Sequence, residues 1–320
     1  MSIFPVTEPI PPMVAFSSSV PRAAAAVALC AGFIVSLEAG AAHDPGVSPG
    51  WKLCRSTNPD ERIAGCTQVI ADIGKESKHN QLAAYVNRAG AWQAKGDYAR
   101  AIEDYGKALE VEPGAAIVLL ARGAARHAAG DLDAAIADYD QAIAKDDKNA
   151  AAFMARASAW RAKGEAGKAL ADIDEAVKLD RKTAGPLAAR ANYFHAKGEH
   201  DRAIADYSEA LKRDPKLVSA LIGRGGCFYA KGDYDKALAD FDAAAKADPR
   251  NATALLNRAN AWRARKDFER ARTDYEAALA LKPDLAPAKK GVEDVTKIIA
   301  KKAAGAAPAD AAPAGVEHEH

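Results

Sequence analysis

The sequence is poor in the features that build a β-sandwich or a nucleic-acid interface. Aromatic residues make up 7% of the 320, and β-branched runs of strand length are scarce, so we expect an all-α chain. The formal net charge is +1, which points to neither nucleic acid nor a membrane surface as a partner. Hydrophobic residues nevertheless reach 49%, mostly alanine, and such small side chains suit close contacts between helices.

Long apolar runs are also lacking, apart from a short one near the N-terminus. Residues 23–37 are apolar and follow an arginine, and residues 39–41 fit an A-x-A cleavage site. Because the run is short for a membrane span, we expect residues 1–41 to be a cleaved signal peptide that takes a bacterial chain to the periplasm or out of the cell. An uncleaved anchor is the alternative, and Met13 gives a more ordinary start than Met1.

Cysteine is scarce, with four residues in the chain. Cys30 lies inside the expected signal peptide, and Cys54 and Cys66 are expected to form a disulfide in an oxidising compartment. A zinc site is the alternative for this pair, but two cysteines without a nearby histidine pair make a poor one. Cys227 is expected to be a buried, inert thiol, since no histidine is placed to activate it.

What the sequence does contain is a repeat. One position carries glycine at a constant step of 34 residues, and lysine takes its sixth occurrence. Two alanine positions, which begin at Ala101 and Ala108, keep the same step through six units. The members of the first series are Gly96, Gly130, Gly164, Gly198, Gly232 and Lys266.

This pattern resembles the tetratricopeptide repeat (TPR) family. Residues of the first unit stand at the spacings of that family, namely Tyr85, Ala89, Trp92, Ala101, Tyr105, Ala108 and Pro113. The resemblance implies an all-α, right-handed α-solenoid in which each repeat is a pair of helices, here named helix A and helix B. The expected repeats are 82–115, 116–149, 150–183, 184–217, 218–251 and 252–285.

The segments that flank the six repeats (82–285) are expected to close the array. Residues 42–81 should hold a lone helix at 59–74, to which the disulfide clips the preceding segment. Residues 286–302 are predicted to be a polar capping helix, which repeat arrays need at their ends. Residues 303–320 are rich in alanine and proline and are predicted to be a disordered tail.

Arginine and aspartate recur where a packed interior is expected. Every repeat has arginine at its seventh place and aspartate at its twenty-third, whereas the lone helix has Gly65 and the capping helix has Val292. Because helices A and B run antiparallel, we expect each arginine to pair with the aspartate of its own repeat. Pairing with the next repeat and a ligand-binding ladder are the alternatives. The expected pairs are Arg88–Asp104, Arg122–Asp138, Arg156–Asp172, Arg190–Asp206, Arg224–Asp240 and Arg258–Asp274.

No catalytic constellation stands out from the repeat. The glycines of residues 223–228 occupy the small-residue places of a helix, and the two histidines of residues 195–200 straddle a turn between helices. We therefore expect no enzyme activity, no cofactor and no metal site.

A binding surface is the stronger expectation. The resemblance implies that helix A lines a concave groove, where the twelfth place of the repeat varies most. The six helix A segments carry no Asp or Glu, so the expected partner is an acidic, partly apolar protein or peptide segment. The predicted groove residues are Gln93, His127, Met154, Arg161, His195, Tyr229, Leu256 and Arg263.

These features together predict a non-catalytic scaffold or adaptor of the bacterial cell envelope. The alternative is a membrane-associated assembly factor, or an accessory subunit of an envelope enzyme complex. A membrane contact is expected only if the signal peptide is not cleaved, and no nucleic-acid partner is expected.

Overall fold

The computed structural model describes residues 48–305, and every regular element in this range is helical. The predicted signal peptide 1–41 and residues 306–320 lie outside the described residues. The helices are α1 (Pro49–Cys54), α2 (Pro59–Ala71), α3 (Lys78–Ala94), α4 (Tyr98–Val111), α5 (Ala116–Ala129), α6 (Leu132–Lys145), α7 (Ala150–Ala162), α8 (Ala166–Leu179), α9 (Gly185–Ala196), α10 (His200–Arg213), α11 (Val218–Ala230), α12 (Tyr234–Ala247), α13 (Ala252–Ala264), α14 (Phe268–Leu281) and α15 (Ala286–Gly305).

The helix ends follow from local residues. Four second helices begin after an aspartate whose side chain accepts a hydrogen bond from a backbone N–H of the first turn: Asp97, Asp131, Asp233 and Asp267. Glu165 and Glu199 hold that place in the other two repeats and make no such bond. The turn between helices A and B passes through a left-handed residue, which is glycine five times; Lys266 adopts φ 64° in the sixth, where a side chain is strained.

The chain divides into two compact units after Pro186. Each unit is a stack of helix pairs. Residues 48–186 contain α1 to α8, and residues 187–305 contain most of α9 and all of α10 to α15. Within each unit, helices pack on their neighbours in sequence. The expected fold class, an all-α tetratricopeptide array, is confirmed.

The core of each unit includes aromatic rings on helix B that pack against small residues on helix A, although Ile173 replaces the ring in the third repeat. Tyr139 is 1% exposed and Phe241 is fully buried. A Cβ added to Gly123 would lie 2.6 Å from the ring of Tyr139, and one added to Gly225 would lie 2.7 Å from Phe241. These glycines therefore allow an approach that alanine would obstruct.

The N-terminal segment differs in detail from the prediction. A short helix that the sequence did not reveal, α1, precedes α2, and the Cys54–Cys66 disulfide joins the two, as predicted. The lone helix ends at Ala71 and not at residue 74, because a 3-10 turn at Ile73–Lys75 follows it. Helix α3 begins at Lys78, four residues before the predicted repeat boundary, because Ser77 caps it.

The C-terminal helix is longer than predicted. It continues to Gly305, so residues 303–305 are helical and not part of a disordered tail. Val295 and Ala288 of this helix are fully buried against the last repeat. No helix within residues 48–305 combines the length and apolar character needed to cross a membrane.

Candidate functional site

Each recurring arginine is paired with the aspartate of its own repeat, as predicted. In all six pairs Nε and Nη2 of the arginine donate to the two carboxylate oxygens, at 2.7–3.0 Å. The aspartates are buried; Asp138 is fully so. Such a bidentate pair fixes the orientation of both side chains. The six arginines therefore brace the helix pairs, which weighs against a ladder of free ligand-binding groups.

A third donor of several arginines reaches the preceding repeat, which the sequence analysis missed. Arg156 donates from Nη1 to Asp140 at 2.6 Å, and Arg258 donates to Asp242 at 2.9 Å. In the same way Arg224 donates to the hydroxyl of Ser208 at 3.1 Å. The signal for these contacts was present in the sequence, since a polar residue follows the helix B aromatic by one place in these repeats.

The electrostatics of the pairs agree with their geometry. The hydrogen bonds that Arg88, Arg224 and Arg258 each donate to their own aspartate raise the pKa of these arginines, against the opposing effect of burial. The pKa of Arg156 is raised by Asp172 first and by Asp140 as well. The guanidinium groups therefore stay charged and remain committed to internal carboxylates.

Three predicted groove residues are buried, which corrects their assignment to the surface. Gln93 accepts a hydrogen bond from the hydroxyl of Tyr105, and Leu256 is part of the core at 1% exposure. Tyr229 is 7% exposed, and its ring packs edge-on against Tyr234. At Gln93 and Tyr229, which belong to the variable twelfth place, the side chain therefore serves packing between helices and not an exposed recognition surface.

The other predicted groove residues retain some exposure. His127, Met154 and His195 are half-buried, and Arg161 is exposed. Arg263 was predicted to be a groove cation available to a partner. Instead it pairs with Asp294 of the C-terminal helix at 3.5 Å.

Most other cations of helix A are also neutralised, largely by acids of the preceding helix B. This corrects the prediction of a generally positive face, which followed from counting helix A alone. Among the six predicted helix A segments, all of which lie in the described part of the chain, Arg161 and Lys197 are the cations without a carboxylate partner. The neutralised cations and their partners are Lys95–Asp60, Arg126–Asp138, Lys163–Asp133, Lys231–Asp201 and Arg265–Asp235.

Arg161, His127 and Met154 form a small surface, here called the Arg161 surface. Arg161 and Met154 are seven residues apart on α7 and so share one helix face. Burial lowers the pKa of the His127 imidazole, and the charge of Arg161 lowers it further. At neutral pH this surface therefore presents one cation beside a neutral ring and a thioether.

A second cluster contradicts the expectation that no histidine lies near Cys227. His195 Nδ1 is 3.0 Å from the sulfur of Cys227, and His200 lies beside them. Burial raises the pKa of the Cys227 thiol to about 12, and burial followed by the neighbouring His200 lowers the pKa of His195. The thiol is therefore protonated at neutral pH, so the expectation of an unreactive sulfur stands on its burial.

The succession of helix pairs agrees with comparison to known sequences. The profile of the tetratricopeptide repeat family matches residues 91–149, 128–186, 188–244 and 228–286. The chain belongs to the tetratricopeptide repeat family. Repeats of this family generally act as protein-interaction scaffolds and are typically non-catalytic.

Solved structures show the same fold. A tetratricopeptide repeat protein from Parabacteroides merdae is 15% identical, and the match covers 77% of this chain and 96% of that one with a TM-score of 0.58. For pilF of Pseudomonas aeruginosa the identity is 18%, the coverage is 67% and 98%, and the TM-score is 0.59. No curated protein matches the sequence of this chain at a significant level.

Proposed function

We propose that this protein is a non-catalytic adaptor of the bacterial cell envelope, which holds a segment of a partner protein at the Arg161 surface. The proposal rests on one observation about Arg161 on helix A. Its guanidinium is exposed and has no carboxylate partner in the described part of the chain. Its counterpart Arg263 is held by Asp294. A cation that the fold does not use is available to a ligand.

The chemistry of the Arg161 surface favours an acidic segment with apolar side chains. Guanidinium binds carboxylates through paired hydrogen bonds. Met154 offers an adaptable apolar contact on the same helix face. Ala162, which follows Arg161, is exposed and adds little bulk, so a bound chain has room to approach α7.

Export to the periplasm belongs to the same proposal. The apolar run 23–37 and the cleavage pattern at 39–41 support it. The Cys54–Cys66 disulfide supports it independently, because stable disulfides persist in oxidising compartments.

A charge reversal tests the binding surface. The probe is a fluorescent peptide of alternating glutamate and leucine, whose affinity is measured by anisotropy. We expect Arg161→Glu to weaken binding and rising salt to weaken wild-type binding, because the attraction is screened. Lys148→Glu is the matched control, since it makes the same charge change at an exposed site of the same unit. Equal losses in the two variants, or affinity that is indifferent to salt, would contradict the proposal.

Crosslinking in the periplasm then identifies the natural partner. Wild type and Arg161→Glu are compared, and a partner captured equally by both does not use the Arg161 surface. Cell fractionation of the same samples tests location. We expect a soluble periplasmic chain whose N-terminus is Ala42.

A second candidate is a membrane-associated assembly factor or accessory subunit, which the apolar run 23–37 favours if it stays attached. Recovery of the chain in the membrane fraction with residues 1–41 retained would select this candidate over the periplasmic one.

A further inference from the structure

Three metal-binding side chains meet where one repeat ends its first helix and the next repeat packs on it. His195 lies in the last turn of α9, and His200 is the first residue of α10. The turn between them brings their rings to a centroid separation of 5.4 Å. Cys227 enters from α11, and its sulfur and one nitrogen of each histidine all lie within 4.8 Å of one another.

We infer that His195, His200 and Cys227 form a binding site for a thiolate-seeking metal ion of the zinc class. Imidazole nitrogen and cysteine sulfur are the ligands that Zn²⁺ prefers. Three protein ligands leave one tetrahedral position for water or a small external ligand. Both histidines are half-buried whereas Cys227 is fully buried, so that fourth position lies toward the histidine side of the cluster.

An orphaned donor atom supports this inference independently of the clustering. His200 Nδ1 is buried and makes no hydrogen bond. A buried polar atom without a partner is uncommon in a native protein and destabilises the fold. A metal ion would satisfy this nitrogen and would engage the sulfur and the other imidazole at the same time.

The distances suit a metal after small shifts. Bonds of about 2.3 Å to sulfur and about 2.1 Å to nitrogen at a tetrahedral angle separate those two atoms by about 3.6 Å. The present separation of 3.0 Å between His195 Nδ1 and the Cys227 sulfur therefore has to open by about 0.6 Å. Rotation of a half-buried imidazole supplies such a movement without a change of helix position.

Comparison with the other repeats shows that packing at this junction does not require two histidines and a cysteine. At the next junction the equivalent places carry Tyr229, Tyr234 and Ala261, and the two tyrosine rings pack edge-on at the same centroid separation of 5.4 Å. At another junction they carry His127, Leu132 and Ala159. Aromatic, aliphatic and alanine side chains thus fill the same space, and among these junctions only the His195 one combines three ligands.

Cobalt titration tests the site, because a thiolate bound to Co²⁺ gives a charge-transfer band and tetrahedral Co²⁺ gives strong visible bands. The full-length chain is stripped of metal with a chelator and kept under nitrogen with its disulfide intact. We expect one equivalent of Co²⁺ to give both signals and Zn²⁺ to abolish them. Cys227→Ser should remove the charge-transfer band, and Cys30→Ser should keep it.

The histidines are tested by substitutions that copy the neighbouring junction. His200→Tyr and His195→Tyr should each weaken Zn²⁺ binding by at least about 100-fold, because loss of a direct ligand exceeds the 10–100-fold typical of outer-shell changes. His127→Ala is the matched control and should bind as the wild type does. Added Zn²⁺ should raise the melting temperature of the wild type and the control, but not that of His200→Tyr.

Three outcomes would overturn the inference. One is a wild-type chain that shows no thiolate-to-cobalt band. Another is a band that survives Cys227→Ser, which would place the metal on other thiols. The third is Zn²⁺ affinity unchanged by His200→Tyr, which would leave a thiol hydrogen-bonded to His195 and no metal site. If Cys227→Ser does not fold, His200→Tyr decides, since His200 is half-buried and tyrosine occupies the equivalent place in the next repeat.

Discussion

The two ends of the array are closed in different ways. At the N-terminal end, α2 stands as a lone second helix, and the six-residue α1 covers it through the Cys54–Cys66 disulfide. At the C-terminal end, the twenty-residue α15 covers the last repeat, with Val295 fully buried and no disulfide. The N-terminal cover thus combines a covalent bond with the burial of Trp51, whereas the C-terminal cover relies on apolar burial without a disulfide.

Helix length explains the difference. A helix of six residues has little hydrogen bonding of its own and buries few side chains, so it does not persist without help. A helix of twenty residues places several apolar side chains along one face. The disulfide at the N-terminal end thus adds to the limited burial that a short helix provides, which is mainly that of Trp51.

Glycine serves both ends in the same way. A Cβ added to Gly65 would lie 2.4 Å from Leu53 and from the backbone nitrogen of Cys54, and one added to Gly291 would lie 2.6 Å from the ring of Tyr275. Gly65 also occupies the place of the repeated aspartate, and Val292 occupies that of the repeated arginine. The Arg–Asp pair of each complete repeat, here called the charge clamp, is therefore absent at the two ends. Close contacts between backbones and apolar groups take its place.

The disulfide should carry the largest single effect. Replacing Cys54 and Cys66 together with alanine is expected to destabilise the N-terminal cover by about 3 kcal/mol, mainly because the unfolded segment gains freedom. Native-state hydrogen exchange measures this locally, and faster exchange is expected in α1 and α2 while α15 is unchanged. Reduction of the wild type should reproduce the effect; unchanged exchange after reduction would mean that α1 is held by packing alone.

The charge clamp of the interior comes next. Arg224→Leu should cost about 2–3 kcal/mol, below the full penalty for a broken buried pair because the arginine side chain is 24% exposed. The cost arises because Asp240, which is 6% exposed, loses its partner. Urea unfolding measures it, and Arg224→Leu with Asp240→Leu should recover part of the loss. A neutral single variant would show that the clamp contributes no stability.

The interior of the molecule was predictable from sequence because its contacts repeat. Every arginine finds its aspartate 16 residues later, within one pair of helices. A constant separation around a short turn fixes the geometry without knowledge of the rest of the fold. The disulfide was predictable for a similar reason, since 12 residues separate its cysteines.

Contacts between repeats were harder to predict. Gln93 and Tyr229 share their sequence place with Arg161, which is exposed, so their burial depends on the side chains packed against them. Lys163 and Asp133 are 30 residues apart and belong to different repeats, so counting charges on helix A alone missed their pairing. The cluster around Cys227 was missed because its members come from three helices.

The close approach at the C-terminal end gives a smaller effect. Gly291→Ala should cost about 1–2 kcal/mol, because the new methyl group pushes α15 away from Tyr275. The matched control is Gly106→Ala, also inside a helix, where an added Cβ meets nothing within 4 Å. The control should stabilise by about 0.5–1 kcal/mol through helix propensity. If Gly291→Ala and Gly106→Ala raise the melting temperature equally, the last helix does not depend on this contact.

The smallest expected change in stability concerns the hydrogen bond that an arginine donates to an aspartate of the preceding repeat, as Arg156 and Arg258 do. Gly106 holds the place from which Asp140 and Asp242 reach the next arginine, so Gly106→Asp should offer Arg122 the same carboxylate. Its matched control is Gly106→Asn, which has nearly the same shape without charge.

We expect Gly106→Asp to exceed Gly106→Asn in stability by about 0.2–0.5 kcal/mol at low salt, the lower part of the range for a partly exposed pair. Glu103 and Glu110, three and four residues away on the same helix, reduce the gain by repulsion. Urea unfolding at low and high salt measures the difference, which should shrink as salt screens the charges. If the two variants are equally stable at low salt, the third contact of Arg156 and Arg258 accompanies the stacking of repeats without strengthening it.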